Sequence, residues 1–553
     1  MANDMKMLQS IGLAVFLALA GGPALLAQPV PSPPIPSPAE LEKSGAVIGA
    51  IAIQVNDIFD LKDPKENGRL YRLANKLHRT TRDKVIENQL LFKPGDRFSQ
   101  RALDESARLL RKNRYLYNAE IRPVRYEDGR VDVVVATRDV WTLNAGVGLG
   151  RSGGANTTRV LVQDTNFLGT GKSLSFQRET NVDRTTTHFQ YDDKALFGTH
   201  GTMSLGYSNN SDGKERFLYL AQPFYSLDSR RAAGLSASSE ERVDSLYRLG
   251  HVDDRFSHQL DFFEIHGGLS NGLVNGWARR WTAGLTYQHD RFHLAADEPV
   301  PSILLGDLPG NRTLAYPWLA FDLVQDRYVE AKNLDQIQRT EDLHLGSQLH
   351  LSLGWASTAY GADRNAAVFE GSLNTGFKPA ANQTLLFGSG LSGRWGSDGA
   401  ENLFLSTSAR YYWRDFGEHL FFITLEGAVA HHLDPEVQLL LGGDTGLRGY
   451  PLRYQDGDAR ALLTVEQRFF TNYYPFRLIH IGGAVFFDAG RTWPGADGRA
   501  PNFGLLKDAG FGLRLSSSRS GLGNVVHLDV AFPLDGDNSI KRVQYLVRTK
   551  ASF

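Results

Sequence analysis

The sequence contains no cysteine, which excludes disulfides and every metal or redox site held by thiolates. It has almost no excess of charge: 60 Lys and Arg stand against 61 Asp and Glu, for a formal net charge of −1. No basic surface therefore points to nucleic acid as a partner. Past the extreme N-terminus it also lacks any run near the roughly 18 apolar residues that a membrane-spanning helix requires. Glycine (56 residues) and aromatic side chains (11%) are plentiful, yet the mean hydropathy is only −0.30. The apolar residues are thus dispersed among polar ones, and if the chain crosses a membrane it has to do so with strands.

The first residues read as a secretory signal. Lys6 supplies the positive start, Ile11 to Ala20 an apolar core, and Ala27 a small-residue cleavage point, so residues 1–27 are expected to be a signal peptide. From Gln28 to Pro38 proline recurs nearly every second residue. Such a run lacks backbone donors and favours polyproline geometry, so residues 28–45 read as an extended spacer. Residues 46–141 then read as a small mixed domain. Val47 to Val55 is apolar enough for a strand, and Val85, Ile86, Gln89 and Leu90 have helical spacing. Lys93-Pro94-Gly95-Asp96 breaks the chain, and Ser99 is placed to cap a second helix with Leu103, Ala107 and Leu110 on its inner face. Two further strands, Ala119 to Tyr126 and Arg130 to Thr137, flank an Asp128-Gly129 turn of the hairpin type. The order is β-α-α-β-β, with no structure assigned to residues 57–78. That order resembles a POTRA domain, as do the phrases Phe92-x-x-Gly95-Asp96 and Leu110-Arg111-x-x-x-Tyr115-Leu116.

From residue 142 to 553 the dominant period is two. Trp281, Leu285 and Tyr287 alternate with Thr282, Gly284, Thr286 and Gln288, and Val526, Leu528 and Val530 alternate with His527 and Asp529. A soluble sandwich would also alternate. Two features favour a transmembrane antiparallel barrel: aromatic clusters such as Tyr411-Tyr412-Trp413 and Tyr473-Tyr474 near strand ends, and small polar residues on the second face. Sixteen strands would use about 26 residues each with their connections. Tyr545, Val547 and Phe553, in the last strand, are expected to face lipid and to act as a C-terminal assembly signal.

Leu441-Gly442-Gly443-Asp444-Thr445-Gly446-Leu447-Arg448-Gly449-Tyr450 interrupts the alternation, and Phe486-Phe487-Asp488-Ala489-Gly490 follows downstream in a strand. The pair resembles the hallmark of the BamA/TamA-like superfamily of outer-membrane assembly and two-partner-secretion barrels, also described as bacterial surface antigens. The resemblance implies that a loop tip of Arg448, Gly449 and Tyr450 folds into the lumen and that Arg448 meets Asp488 there. Glu466, inward-facing between Val465 and Gln467, is a further partner on strand parity.

Enzyme-like matches lack their required context. Gly148-Leu149-Gly150-Arg151-Ser152-Gly153 has no helix after it, Gly268 to Gly272 sits in a turn, and His431-His432 has no ligand spacing for zinc. No catalytic residue, cofactor or metal is expected. The resemblance implies a Gram-negative outer-membrane protein with its N-terminal domain in the periplasm. Its partners would be outer-membrane lipid, unfolded outer-membrane or secreted polypeptides, and other envelope assembly proteins. Its function would be protein insertion by client capture and lateral gating. The alternative is a two-partner secretion translocator, whose usual two POTRA units contrast with the single one read here.

Overall fold

The computed structural model describes residues 35–295, 308–414, 417, 419–494, 503–521, 523–550 and 552–553. The expected signal peptide and the beginning of the proline-rich stretch lie outside the described residues. The rest of that stretch is not all spacer. Helix α1, Pro38–Lys43, is closed by a capping box between Ser37 and Glu40 and seats Leu41 in the core of the N-terminal domain. Strand β1 (Val47–Asn56) follows, then helices α2 (Arg69–Leu77), α3 (Asp83–Glu87) and α4 (Gln100–Arg111), then strands β2 (Leu116–Glu127) and β3 (Arg130–Asp139). The sheet order is β1-β3-β2, with β1 parallel and β2 antiparallel to β3. Ile86, Leu103, Ala107 and Leu110 of the helices pack with Ile48, Val131, Val133 and Val135 of the sheet. The inner face expected for the second helix is therefore the buried one. The segment left unassigned by sequence holds α2.

The remainder closes into an antiparallel barrel of 20 strands, not 16. The reason lies in the connections. Gly153-Gly154, Ser211-Asp212, Leu249-Gly250, Asn275-Gly276 and Ser397-Asp398 each join two strands as two-residue turns, so less chain is used per strand than long loops would need. Lipid-facing Trp281, Leu285, Leu351 and Leu353 are exposed, whereas Thr286 on the second face is buried. An even strand count puts both ends of the barrel on the side of the N-terminal domain. The protein should accordingly migrate faster unheated than boiled on a detergent gel, and identical mobility would argue against a closed barrel.

Both mouths of the lumen are covered. On the N-terminal-domain side, the hairpin Tyr328–Lys332 with Thr340–His344 turns its tip inward. Leu334 and Ile337 of that tip are buried with Tyr412, Leu420, Phe422 and Phe470. The same hairpin is held from below: Arg111 of α4 clasps Asp342 (2.5 and 2.8 Å) and Glu330 (2.8 Å), and the Tyr117 hydroxyl donates to the Gln338 carbonyl (2.7 Å). At the far mouth, the strands Arg231–Arg248, His251–Val274 and Trp277–Leu294 contain 18, 24 and 18 residues. A tilted span of the bilayer needs only about 9–11, so this wall projects well beyond the membrane. Its tip leans over the lumen: Gly250 N donates to the Arg453 carbonyl (3.1 Å), and the Arg453 guanidinium lies over Tyr247 at 4.1 Å.

Candidate functional site: the lumen lock and the barrel seam

The connection between the strands His419–His431 and Ala459–Phe470 starts at the far mouth and folds back into the barrel. Leu439–Leu441 pairs with Gln455–Gly457 as its stem. The glycines of the loop are there for close approach. A side chain at Gly449 would put its Cβ 2.6 Å from that of Asp508, and one at Gly443 would meet the Tyr450 carbonyl at 2.4 Å. The loop therefore lies flat on the inner wall and carries Arg448 into it.

Arg448 is buried, and each of its three guanidinium nitrogens donates to a carboxylate. Nε and Nη2 donate to the two oxygens of Asp488 (2.6 and 2.8 Å), and Nη1 donates to Glu466 Oε1 (2.6 Å). The plane of the cation stacks on Phe486 at 3.4 Å. Asp488 also accepts from Thr464 Oγ1 (2.7 Å). Tyr450, buried among Leu441, Leu447, Leu462 and Leu506, donates its hydroxyl to the Lys507 carbonyl (2.8 Å). All five residues expected at the lock are thus brought together. Fork geometry matched to a carboxylate is what makes Arg, and not Lys, suited to this position.

One member was missed. Arg468 donates through Nε to the second oxygen of Glu466 (2.9 Å) and through Nη1 to the Leu334 carbonyl of the inward hairpin (2.8 Å). Glu466 and Arg468 are two apart in one strand and so share a face. That parity was the available signal. Arg514 and Asp529, paired at 2.5 Å and both fully buried, form a second inward ion pair nearer the end of the chain.

The seam between the first barrel strand, Leu143–Ser152, and the last, Gln544–Lys550, is the weak side of the wall. The described residues make one ladder pair there, Val547 with Arg151, whereas the last strand makes seven with its other neighbour. The lock loop touches both sides. The Gly443 carbonyl accepts from Ser152 Oγ of the first strand (2.9 Å) and from Arg548 Nη1 of the last (3.3 Å).

Of the residues expected at the C-terminal signal, Tyr545 is exposed on the outer face, and Val547 carries the seam pair. Phe553 does not face lipid. The strand ends at Lys550, and the chain turns inward. The Phe553 ring packs 4.7 Å from Phe470 beneath Leu334 and Ile337, and its backbone N–H donates to the Asp335 carbonyl (2.7 Å). The apolar hairpin tip offers the ring a burial site that period-two extrapolation could not show.

Comparison with known proteins bears on this arrangement. Residues 78–138 match the family described as POTRA, surface antigen variable number repeat. Over 165 residues the chain is 26% identical to an outer membrane protein assembly factor of Treponema pallidum (strain Nichols), which covers 28% of this chain and 19% of that protein. The POTRA match and the assembly-factor relative agree with the resemblance of the chain to the BamA/TamA-like superfamily. The chain's POTRA domain lies in the periplasm and its barrel in the outer membrane, so the mouth covered by the hairpin Tyr328–Lys332 with Thr340–His344 is the periplasmic one. The chain spans about a fifth of the length of the Treponema relative. Among solved structures, it is 13% identical to CdiB from Escherichia coli, covering 92% of this chain and 77% of that one with a TM-score of 0.46. It is 14% identical to BamA from Haemophilus ducreyi lacking POTRA domains 1–3, with coverages of 91% and 85% and a TM-score of 0.37.

Proposed function

We propose that this protein is an assembly factor that inserts unfolded polypeptides into the outer membrane, with the POTRA domain receiving the client and the barrel releasing it sideways. The observation that carries the reading is the contrast between the seam and the lumen. Among the described residues the seam is closed by one ladder pair, Val547 with Arg151, and by the Gly443 carbonyl that both strands share. The lumen is obstructed by the hairpin tip at Leu334 and Ile337, by the lock at Arg448, and by the tip at Gly250. Among the described residues, a client leaving through the wall has to separate one ladder pair and the bridge through the Gly443 carbonyl, whereas a passenger leaving along the axis has to displace all three obstructions. Strand β2 is an edge of the POTRA sheet, and such an edge can accept an extended client by backbone pairing that tolerates any sequence.

The seam residues supply the test. Arg151→Cys with Val547→Cys places two thiols directly across that ladder pair, in a chain with no other cysteine. Oxidation should stop the insertion of an unfolded barrel client into proteoliposomes, read as the appearance of its heat-modifiable form, and reduction should restore it. Unchanged insertion after near-complete crosslinking would overturn lateral release and favour the alternative, secretion of a passenger along the lumen.

A further inference from the structure

Helix α2 contributes nothing to the POTRA core: none of its residues is buried. Leu70, Leu73 and Leu77 are 78%, 50% and 63% exposed, and their i, i+3, i+7 spacing aligns them in one stripe. Arg69, Arg72 and Lys76 flank that stripe. The side turned away from it ties the helix down. Asn75 exchanges two hydrogen bonds with the backbone of Phe59 (2.8 and 3.1 Å), and the Tyr71 ring lies 4.6 Å from that of Phe59. The leucines are therefore held outward, in a nine-residue helix too short to persist in water without a surface to lie on.

The position of the helix identifies that surface. The Tyr71 hydroxyl donates to the Phe476 carbonyl (2.8 Å), in the periplasmic turn between the strands Ala459–Phe470 and His480–Trp493. This turn exposes Tyr473 (66%) and Phe476 (78%). It runs through exposed Ile479 onto the outer side of the next strand, where Ile481, Val485 and Phe487 alternate with inward Ala484, Phe486 and Asp488. The helix is thus tethered beside the periplasmic end of the lipid-facing belt of the barrel, at the level where aromatic girdles meet headgroups, with its leucines left exposed.

We propose that α2 is an interfacial membrane helix. Leu70, Leu73 and Leu77 enter the boundary between headgroups and acyl chains of the periplasmic leaflet, beside Tyr473 and Phe476, and Arg69, Arg72 and Lys76 meet lipid phosphates. An amphipathic helix with leucines on one side and basic residues beside them suits this position. The bilayer then adds a hold on the POTRA domain to those the barrel provides, among them Trp141 N donating to the Arg519 carbonyl (2.7 Å) and Arg111 clasping Asp342 (2.5 Å). This attachment does not depend on whether clients leave by the seam or the lumen.

Absence of native cysteine again makes the test direct. Full-length protein carrying Leu73→Cys, labelled with an environment-sensitive nitrobenzoxadiazole dye, is reconstituted into vesicles of phosphatidylethanolamine and phosphatidylglycerol. The emission should shift to the blue and be quenched by lipids spin-labelled near the headgroup. Quenching should be severalfold stronger than for the same dye at Glu127→Cys, at the end of β2 remote from the barrel. Leu70→Cys should repeat the result and replaces Leu73→Cys should that variant fail to fold. Dye at positions 73 and 70 that emits and quenches like dye at position 127 would overturn the proposal and assign the stripe to a protein partner.

Discussion

Arg448→Ala is expected to destabilise the folded barrel by about 3–5 kcal/mol, because it takes from buried Asp488 the cation that holds both its oxygens and leaves Glu466 to Arg468 (2.9 Å). Asp488→Ala should cost less than Arg448→Ala, since Arg448 keeps its contact with Glu466 (2.6 Å). The double substitution of Arg448 and Asp488 should cost clearly less than the sum of the two. The measurement is denaturant unfolding in detergent, followed by loss of the heat-modifiable band and by tryptophan fluorescence. Strict additivity of the two single substitutions would show that the pair is not coupled. Arg448→Lys should recover only a fraction of the loss, because an ammonium cannot satisfy Asp488 with two parallel bonds and Glu466 with a third.

Phe553→Ala should also cost about 3–5 kcal/mol, the range for truncating a buried aromatic ring. The ring fills the space between Phe470, Leu334 and Ile337, so its loss empties the contact between the chain end and the inward hairpin. Phe553→Leu keeps most of the volume and should cost less than about 1.5 kcal/mol. The contrast between the two substitutions distinguishes packing from a purely outward-facing signal. An Ala variant that folds and unfolds like the parent protein would show that the ring does not belong to this core.

The loop was legible in the sequence because its residues break a rule that the surrounding chain obeys, whereas the pairing of Arg448 with Asp488 followed from the resemblance to the BamA/TamA-like superfamily. Glycines interrupt a strand pattern, one Arg stands among them, and a carboxylate stands in a strand that otherwise reads Phe-Phe and Ala-Gly. Glu466 followed from parity alone, and the same parity applied two residues further would have found Arg468. The strand number was not legible, because period-two patterns do not reveal whether a polar pair such as Ser211-Asp212 is a whole turn or the start of a loop. The inward course of Phe553 was hidden for a related reason. Alternation predicts which face a residue takes only while the strand lasts, and this one stops at Lys550. The hairpin tip at Leu334 and Ile337 carried no local signal, since its burial is decided by Tyr412, Phe422 and Phe470, far away in the chain.

Arg468 gives the architecture a property that no pair of contacts has by itself. From α4 in the periplasm, Arg111 holds Asp342; the hairpin bearing Asp342 presents the Leu334 carbonyl to Arg468; Arg468 shares Glu466 with Arg448; and Arg448 belongs to a loop that begins outside the cell. One run of polar contacts inside the wall thus connects the POTRA helix with the lock loop. A rearrangement of the surface loop that broke this run would be felt at Asp342, and a coupling of that kind would run equally in both directions. A molecule bound outside the cell that favours one arrangement of the 442–454 loop would change, by the same factor, how strongly the periplasmic side favours its own.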